Sequence, residues 1–304
     1  YNSDLLRSLP KSPISAILLG RVLSTDAKEL PSSLPELYAK YIDLALGRWD
    51  VAKGNASEKE YEAVSILVKL LARHMLESDI YEVSLEKVLS LISDYLAVRE
   101  TGFSAINLLE VIKSHTEIVG IDEACGTLHF KHRSFSEFLY AESLFNEYGK
   151  SAELPDPFDP YWGSVIYFYL GRLKDCPAQL TKLFSAIPKN EPARLIKLIQ
   201  SSGYLLAAYH SPYSAITNGV KATFDDAANL FISVVDAPEK SPLGRFPEIH
   251  LLAILTSIMK RCFEYEFFRR ALIDYETDTL LAASESRQNT VAAFLVASVL
   301  ASLK

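Results

Sequence analysis

Cysteine is scarce in this chain: Cys125, Cys176 and Cys262 are the only three in 304 residues, an odd number set far apart. A disulfide framework is excluded, and the usage reads as reduced thiols in a cytoplasmic protein. Glycine and proline are also thin, at 12 and 14 residues, below the average of about 12% for the pair. Turns are therefore sparse and elements long, which favours helices. Positive charge is in deficit, with 31 Lys and Arg against 38 Asp and Glu for a net charge of -7, the wrong sign for a domain coating a phosphate backbone. No apolar run reaches the roughly 20 residues of a membrane span. The longest, Val291 to Leu303, is interrupted by Ser298 and Ser302 and reads as a buried terminal helix. The opening YNSDLLRSLPKSP has neither the basic region nor the apolar run of a signal peptide. Tyr1 in place of Met suggests a piece of a longer polypeptide.

What is present is apolar residues in helical register. At 49% hydrophobic content the chain can build a core in each of about two domains of roughly 150 residues. A helix from about Pro13 to Leu23 carries Ile14, Ile17 and Leu18 on one face. A second, with Leu34, Leu37, Tyr38, Tyr41, Ala45 and Trp49 at i, i+3, i+4, i+7 spacing, completes a helical hairpin. Ser57 to Glu60 reads as a capping box opening a helix to about Glu77, followed by helices over Leu85 to Val98 and Phe103 to His115. Two short β-prone runs follow, Glu117 to Asp122 and Thr127 to Lys131, joined by a Gly-containing turn of hairpin length. Ser134 to Glu137 reads as a second capping box, opening a helix that ends at Gly149.

Pro155, Pro157 and Pro160 mark a boundary near Leu154, and Asp159 with Pro160 reads as a helix start. Helical segments punctuated by proline then run to the end, without a fixed repeat period. The expected fold is mainly α: a helical hairpin, a winged-helix-like module with one short β-hairpin, and an α-helical bundle or solenoid. The expected divisions are 1-50, 51-150 and 151-304.

Catalytic chemistry finds little support. Gly149-Lys150-Ser151 has the end of a phosphate-binding loop, but Leu144 stands where the earlier glycine is required, and the triplet follows a helix, not a strand. Cys125, His129 and His132 are zinc-type ligands without a CxxC or a fourth partner, and residues 129 and 132 on one strand would face opposite ways. GxSxG and HExxH are absent. Asp225-Asp226 reads as helix N-terminal charge, and Asp274, Glu276 and Asp278 as a solvated turn. No catalytic or metal-ligating residue is assigned.

The segment Phe130-Lys131-His132-Arg133-Ser134-Phe135-Ser136-Glu137-Phe138-Leu139-Tyr140-Ala141 joins a strand end, a histidine and an aromatic helix. It resembles the winged-helix signature of NACHT-type STAND NTPases, the family of NLR immune receptors, with matches at Phe130, His132, Ser134, Phe135, Glu137, Phe138 and Ala141. Glu142 replaces the second alanine often seen there. The segment from Ser12 through Leu19, and then Leu34 to Ile42 with Arg48-Trp49, is similar to successive helices of the family's first helical subdomain. The resemblance covers residues 1 to about 148.

The resemblance implies two nucleotide-contacting positions, Pro13 against the adenine ring and His132 at the β-phosphate of ADP. An imidazole N–H can donate to a phosphate oxygen. The structural alternatives are an ordinary first-turn proline and a residue flanking a helix cap. Walker A and Walker B motifs and their βα alternation are absent from these residues. ATP or ADP is therefore expected only in a longer protein, and neither binding nor catalysis by this portion alone. The implied function is the regulatory and sensor part of a signalling ATPase, of a kind that commonly serves in defence against phage. Its implied partners are an upstream nucleotide-binding domain of the same polypeptide, a protein trigger on the helical half and, on activation, further copies of itself. Membrane and nucleic acid are not expected partners. The rival reading is a helical-repeat interaction scaffold unrelated to nucleotides. A DNA-binding winged helix is disfavoured by the acidic charge and by the Phe-rich positions 135, 138 and 145.

Overall fold

The structure, a computed structural model, describes residues 13–24, 31–47 and 55–303. Thirteen α-helices and one small sheet occur among the described residues, so the fold is mainly α. They fall into two compact units that divide after residue 152. No helix is long and apolar enough to cross a membrane among the described residues.

The first unit begins with α1 (Pro13–Ser24) and α2 (Leu34–Ala45), which pack as a hairpin. Ser33 caps α2 by accepting from the Glu36 amide, and Pro35 fits the first turn, where its missing N–H costs nothing. The helix ends at Ala45, and Arg48 and Trp49, expected on it or just after it, lie outside the described residues. α3 (Asn55–Glu77) starts two residues before the expected cap at Ser57, whose side chain also lies outside the described set. β1 (Glu82–Ser84) leads directly into α4 (Leu85–Ala97), with Ser84 as N-cap, and α5 (Ala105–Ser114) follows with Ser104 as N-cap. β2 (Val119–Asp122) and β3 (Thr127–Phe130) form the expected hairpin, and α6 (Arg133–Tyr148) closes the unit against α3.

The sheet departs from the expectation of one hairpin. β1 adds antiparallel to the other edge of β3, giving the order β1-β3-β2. The reason is burial: Val83 sits opposite Leu128, which sits opposite Ile121, and Leu128 is fully buried. β3 is therefore the central strand, hydrogen-bonded on both sides. Gly120 lies opposite His129, whose ring occupies the space a Cβ would take.

Among the described residues the second unit has seven α-helices: α7 (Gly163–Leu173), α8 (Pro177–Ser185), α9 (Glu191–Ala207), α10 (Tyr213–Asp236), α11 (Glu248–Cys262), α12 (Arg269–Leu281) and α13 (Arg287–Leu300). α10 is the central member, packed against α8, α9, α11, α12 and α13. Its Phe224 is fully buried between Phe263, at a centroid distance of 5.2 Å, and Tyr275, at 5.8 Å.

Three local expectations in this unit are corrected. Asp159 and Pro160 form a turn in which the Asp159 carboxylate accepts from the Tyr161 amide, and the helix starts only at Gly163. Asp225 and Asp226 lie in the middle of α10, where tertiary partners hold them: the Tyr275 hydroxyl donates to Asp225 at 2.6 Å, and Lys197 pairs with Asp226 at 2.6 Å. Asp274, Glu276 and Asp278 belong to α12, with Asp274 accepting from the Tyr213 hydroxyl at 2.6 Å.

Candidate functional site

His132 stands where β3 gives way to α6, and its backbone is extended, with φ -142° and ψ 135°. The expected capping box at Ser134 is not formed. His132 is itself the N-cap, because its Nδ1 accepts from the Ser134 amide at 3.1 Å, and Ser134 is the second residue of the helix. Glu137, which a box would turn back to the cap, accepts instead from Arg133 at 2.9 Å. The Ser134 hydroxyl, released from capping, lies 2.5 Å from His132 Nδ1 and accepts from the Tyr38 hydroxyl at 2.7 Å.

The residues beneath the histidine are aromatic. Phe135 is buried, stacks on Tyr41 at 5.6 Å with ring planes 5° apart, and meets the His132 ring edge-on at 6.3 Å. Tyr38 packs against Phe135 and Phe138. Tyr41 donates to Glu117, which also pairs with Arg21 of α1. Burial pushes the Tyr38 phenol above its ordinary acidity range, the Ser134 bond opposes this, and the Glu137 charge adds to it. Tyr38 therefore stays a phenol and keeps its proton to donate.

His132 and the neighbouring Lys131 are exposed. The histidine tops a 16-residue helix, whose N-terminal amides and dipole favour negative charge. Pro13 is also exposed, at the first position of α1. No hydrogen bond or ring contact joins Pro13 to His132 among the described residues.

The other candidates are not assembled into chemistry. Gly149 ends α6 with φ 53°, and Gly149 to Ser151 form one short 3₁₀ turn, not a loop around an anion. Cys125 is exposed on the hairpin turn, its thiol held above the usual range by hydrogen bonding to and charge from Asp122; burial does the same to Cys262. Neither is an activated nucleophile. Among the described residues no three His, Cys, Asp or Glu side chains are grouped to hold a metal. A shallow cavity of about 360 Å³ near Tyr61, Ser114 and His115 lies in the same unit, without His132 in its lining.

Sequence reasoning placed His132 at this junction but missed that it caps the helix itself. It also missed Tyr38, whose link to Ser134 spans 96 residues and leaves no local pattern.

Residues 203–304 match the family described as NACHT C-terminal helical domain 1. The match runs from within α9 through α13, about a third of the chain, and supports a C-terminal NACHT-associated region. No curated protein and no solved structure matches the chain.

Proposed function

We propose that this chain is the regulatory and sensor portion of a STAND/NACHT signalling ATPase. In this reading residues 1-50 are the end of the first helical subdomain, 51-150 a winged-helix subdomain and 151-304 a helical sensor. The observation that carries the reading is the NACHT-associated helical match at 203–304, lying after the His132 segment in chain order. Supporting it, His132 offers an exposed ring at the start of a long helix, beside exposed Lys131, a setting suited to a phosphate. Pro13 is exposed at the head of α1, where its ring can lie against a base.

The chemistry is binding, not bond-making. A nucleotide core elsewhere in the same polypeptide would supply the ATPase site, and His132 would donate to the β-phosphate of ADP in the closed state. Loss of that contact favours the open state, which self-associates; a protein trigger engaging the helical unit would shift the same equilibrium. The proposed role is signalling in the cytoplasm, of the kind that in bacteria commonly serves in defence against phage.

The test uses a polypeptide that carries this chain behind its nucleotide core. His132→Ala removes one hydrogen bond to a charged group, worth about 1.5–3 kcal/mol, so ADP release should accelerate about 10- to 100-fold and basal oligomerisation rise. Unchanged ADP release with a silent resting state refutes the assignment.

A further inference from the structure

We infer that Ser134 and Tyr38 are positioning residues that hold His132 as an Nε2–H donor. The inference deepens the nucleotide reading and rests on it for its functional consequence, but its geometry stands on residues of one unit. A backbone amide can only donate, so the Ser134 N–H aimed at His132 Nδ1 from 3.1 Å requires a lone pair there. Nδ1 then carries no proton, and in the neutral ring the proton is on Nε2. The 2.5 Å approach of the Ser134 hydroxyl to the same nitrogen is consistent only if that hydroxyl donates as well, since two lone pairs at that distance repel.

The serine proton is thereby committed, which leaves its oxygen to accept. Tyr38, kept protonated by burial, fills that role from α2 at 2.7 Å. The chain of donation runs from Tyr38 O–H to Ser134 Oγ, and from Ser134 O–H to His132 Nδ1. Each donation polarises the next group along the line. Its end is a ring nitrogen that carries a proton and is spared any part in the helix cap. A phosphate oxygen needs a donor of this kind, whereas the opposite tautomer would turn a lone pair toward the anion and repel it. Phe135, edge-on to the imidazole at 6.3 Å, bounds the ring from beneath.

Two measurements test this. The ¹⁵N shifts of the His132 ring in this chain, read at a pH where the ring is neutral, should show a pyridine-type Nδ1 and a pyrrole-type Nε2. Ser134→Ala keeps the amide bond, which still favours a bare Nδ1, but removes the shorter contact; the Nδ1–H tautomer then gains population in fast exchange, and the two averaged shifts should move toward each other. Ser134→Thr, which keeps the hydroxyl, should restore the separation, and Tyr38→Phe should produce a smaller convergence than Ser134→Ala. In the longer polypeptide, Ser134→Ala should release ADP about three- to tenfold faster, as expected for loss of a hydrogen bond acting through a neighbour, again with rescue by threonine. A protonated Nδ1 in the parent chain, or shifts unmoved in Ser134→Ala, overturns the inference. If the shifts respond as expected but His132→Ala leaves ADP release unchanged, the nucleotide reading fails, and the functional role of the relay fails with it.

Discussion

Lys197 of α9 offers the sharpest stability experiment in the helical unit. Its side chain is 4% exposed, yet its ammonium donates to the carbonyls of Phe184 and Ala186 at 3.0 and 3.1 Å, pairs with Asp226 at 2.6 Å and lies 5.4 Å from the Phe158 ring centre. The two carbonyls lie at the C-terminal end of α8, where intrahelical donors run out, so one cation closes α8 and ties α9 to α10. Lys197→Met preserves most of the buried stem and removes the charge. Each orphaned carbonyl costs about 1–3 kcal/mol if it stays dry; the Asp226 side chain is 38% exposed, but its Oδ2, the atom that meets Lys197, is buried and loses its ion-pair partner. The net loss should be about 2–4 kcal/mol, a large share of the 5–15 kcal/mol that usually holds a domain together. Asp226→Asn keeps both carbonyl bonds and should cost less, about 1–2 kcal/mol. Urea denaturation followed by far-UV dichroism reads both, as a lower midpoint with an unchanged slope. Buried ion pairs can often be replaced by apolar residues without loss. A methionine variant as stable as the parent would therefore refute the view that this ammonium holds the three helices together.

Three further outcomes follow from particular contacts. Leu128→Ala empties the centre of the sheet, where the side chain is fully buried, and should destabilise the first unit by about 2–5 kcal/mol in the same urea assay. A Cβ at Gly244 would overlap the Pro238 backbone carbonyl, so Gly244→Ala should cost about 1–3 kcal/mol through displacement of the 238–245 turn, seen as earlier proteolytic cleavage there. Tyr140 donates to Glu77 at 3.1 Å, and burial first, then the Glu77 charge, pushes its phenol up to about 12. A raised value means the folded state holds the proton more tightly. The associated stability is present below pH 10 and lost between about pH 10 and 12. Tyr140→Phe should flatten that part of the stability profile, measured by denaturation at stepped pH.

Helices with regular apolar spacing were legible in outline. Leu34 to Ala45 and Leu85 to Ala97 are of this kind, and each has a serine N-cap and one buried face. β1 was not legible, because three residues with a single buried side chain, Val83, are too few to establish a period of two; pairing with Leu128 makes them a strand. The capping box at Ser134 has the right spacing, but a histidine two residues earlier takes the cap, and histidine is no usual cap residue. Asp225 and Asp226 look like a helix start, yet they sit mid-helix because Tyr275 and Lys197, 50 and 29 positions away, satisfy them. At the candidate site, His132 was found through a resemblance spread over neighbouring residues. Its partner Tyr38 came into view only when α2 was seen lying against α6.

The placement of β3 has a mechanical consequence. With β1 on one edge and β2 on the other, and the Lys131 amide bonded to the Ile118 carbonyl just beyond, the strand is braced up to the residue before His132, and the residue after it is already helical. The histidine thus sits at a welded joint between two stiff members, with no slack of its own. On the nucleotide reading proposed above, it would meet or leave the phosphate as the tip of a lever, with sheet and helix moving together. In that reading a small rotation of the whole block would make or break the contact at its end, as a latch requires.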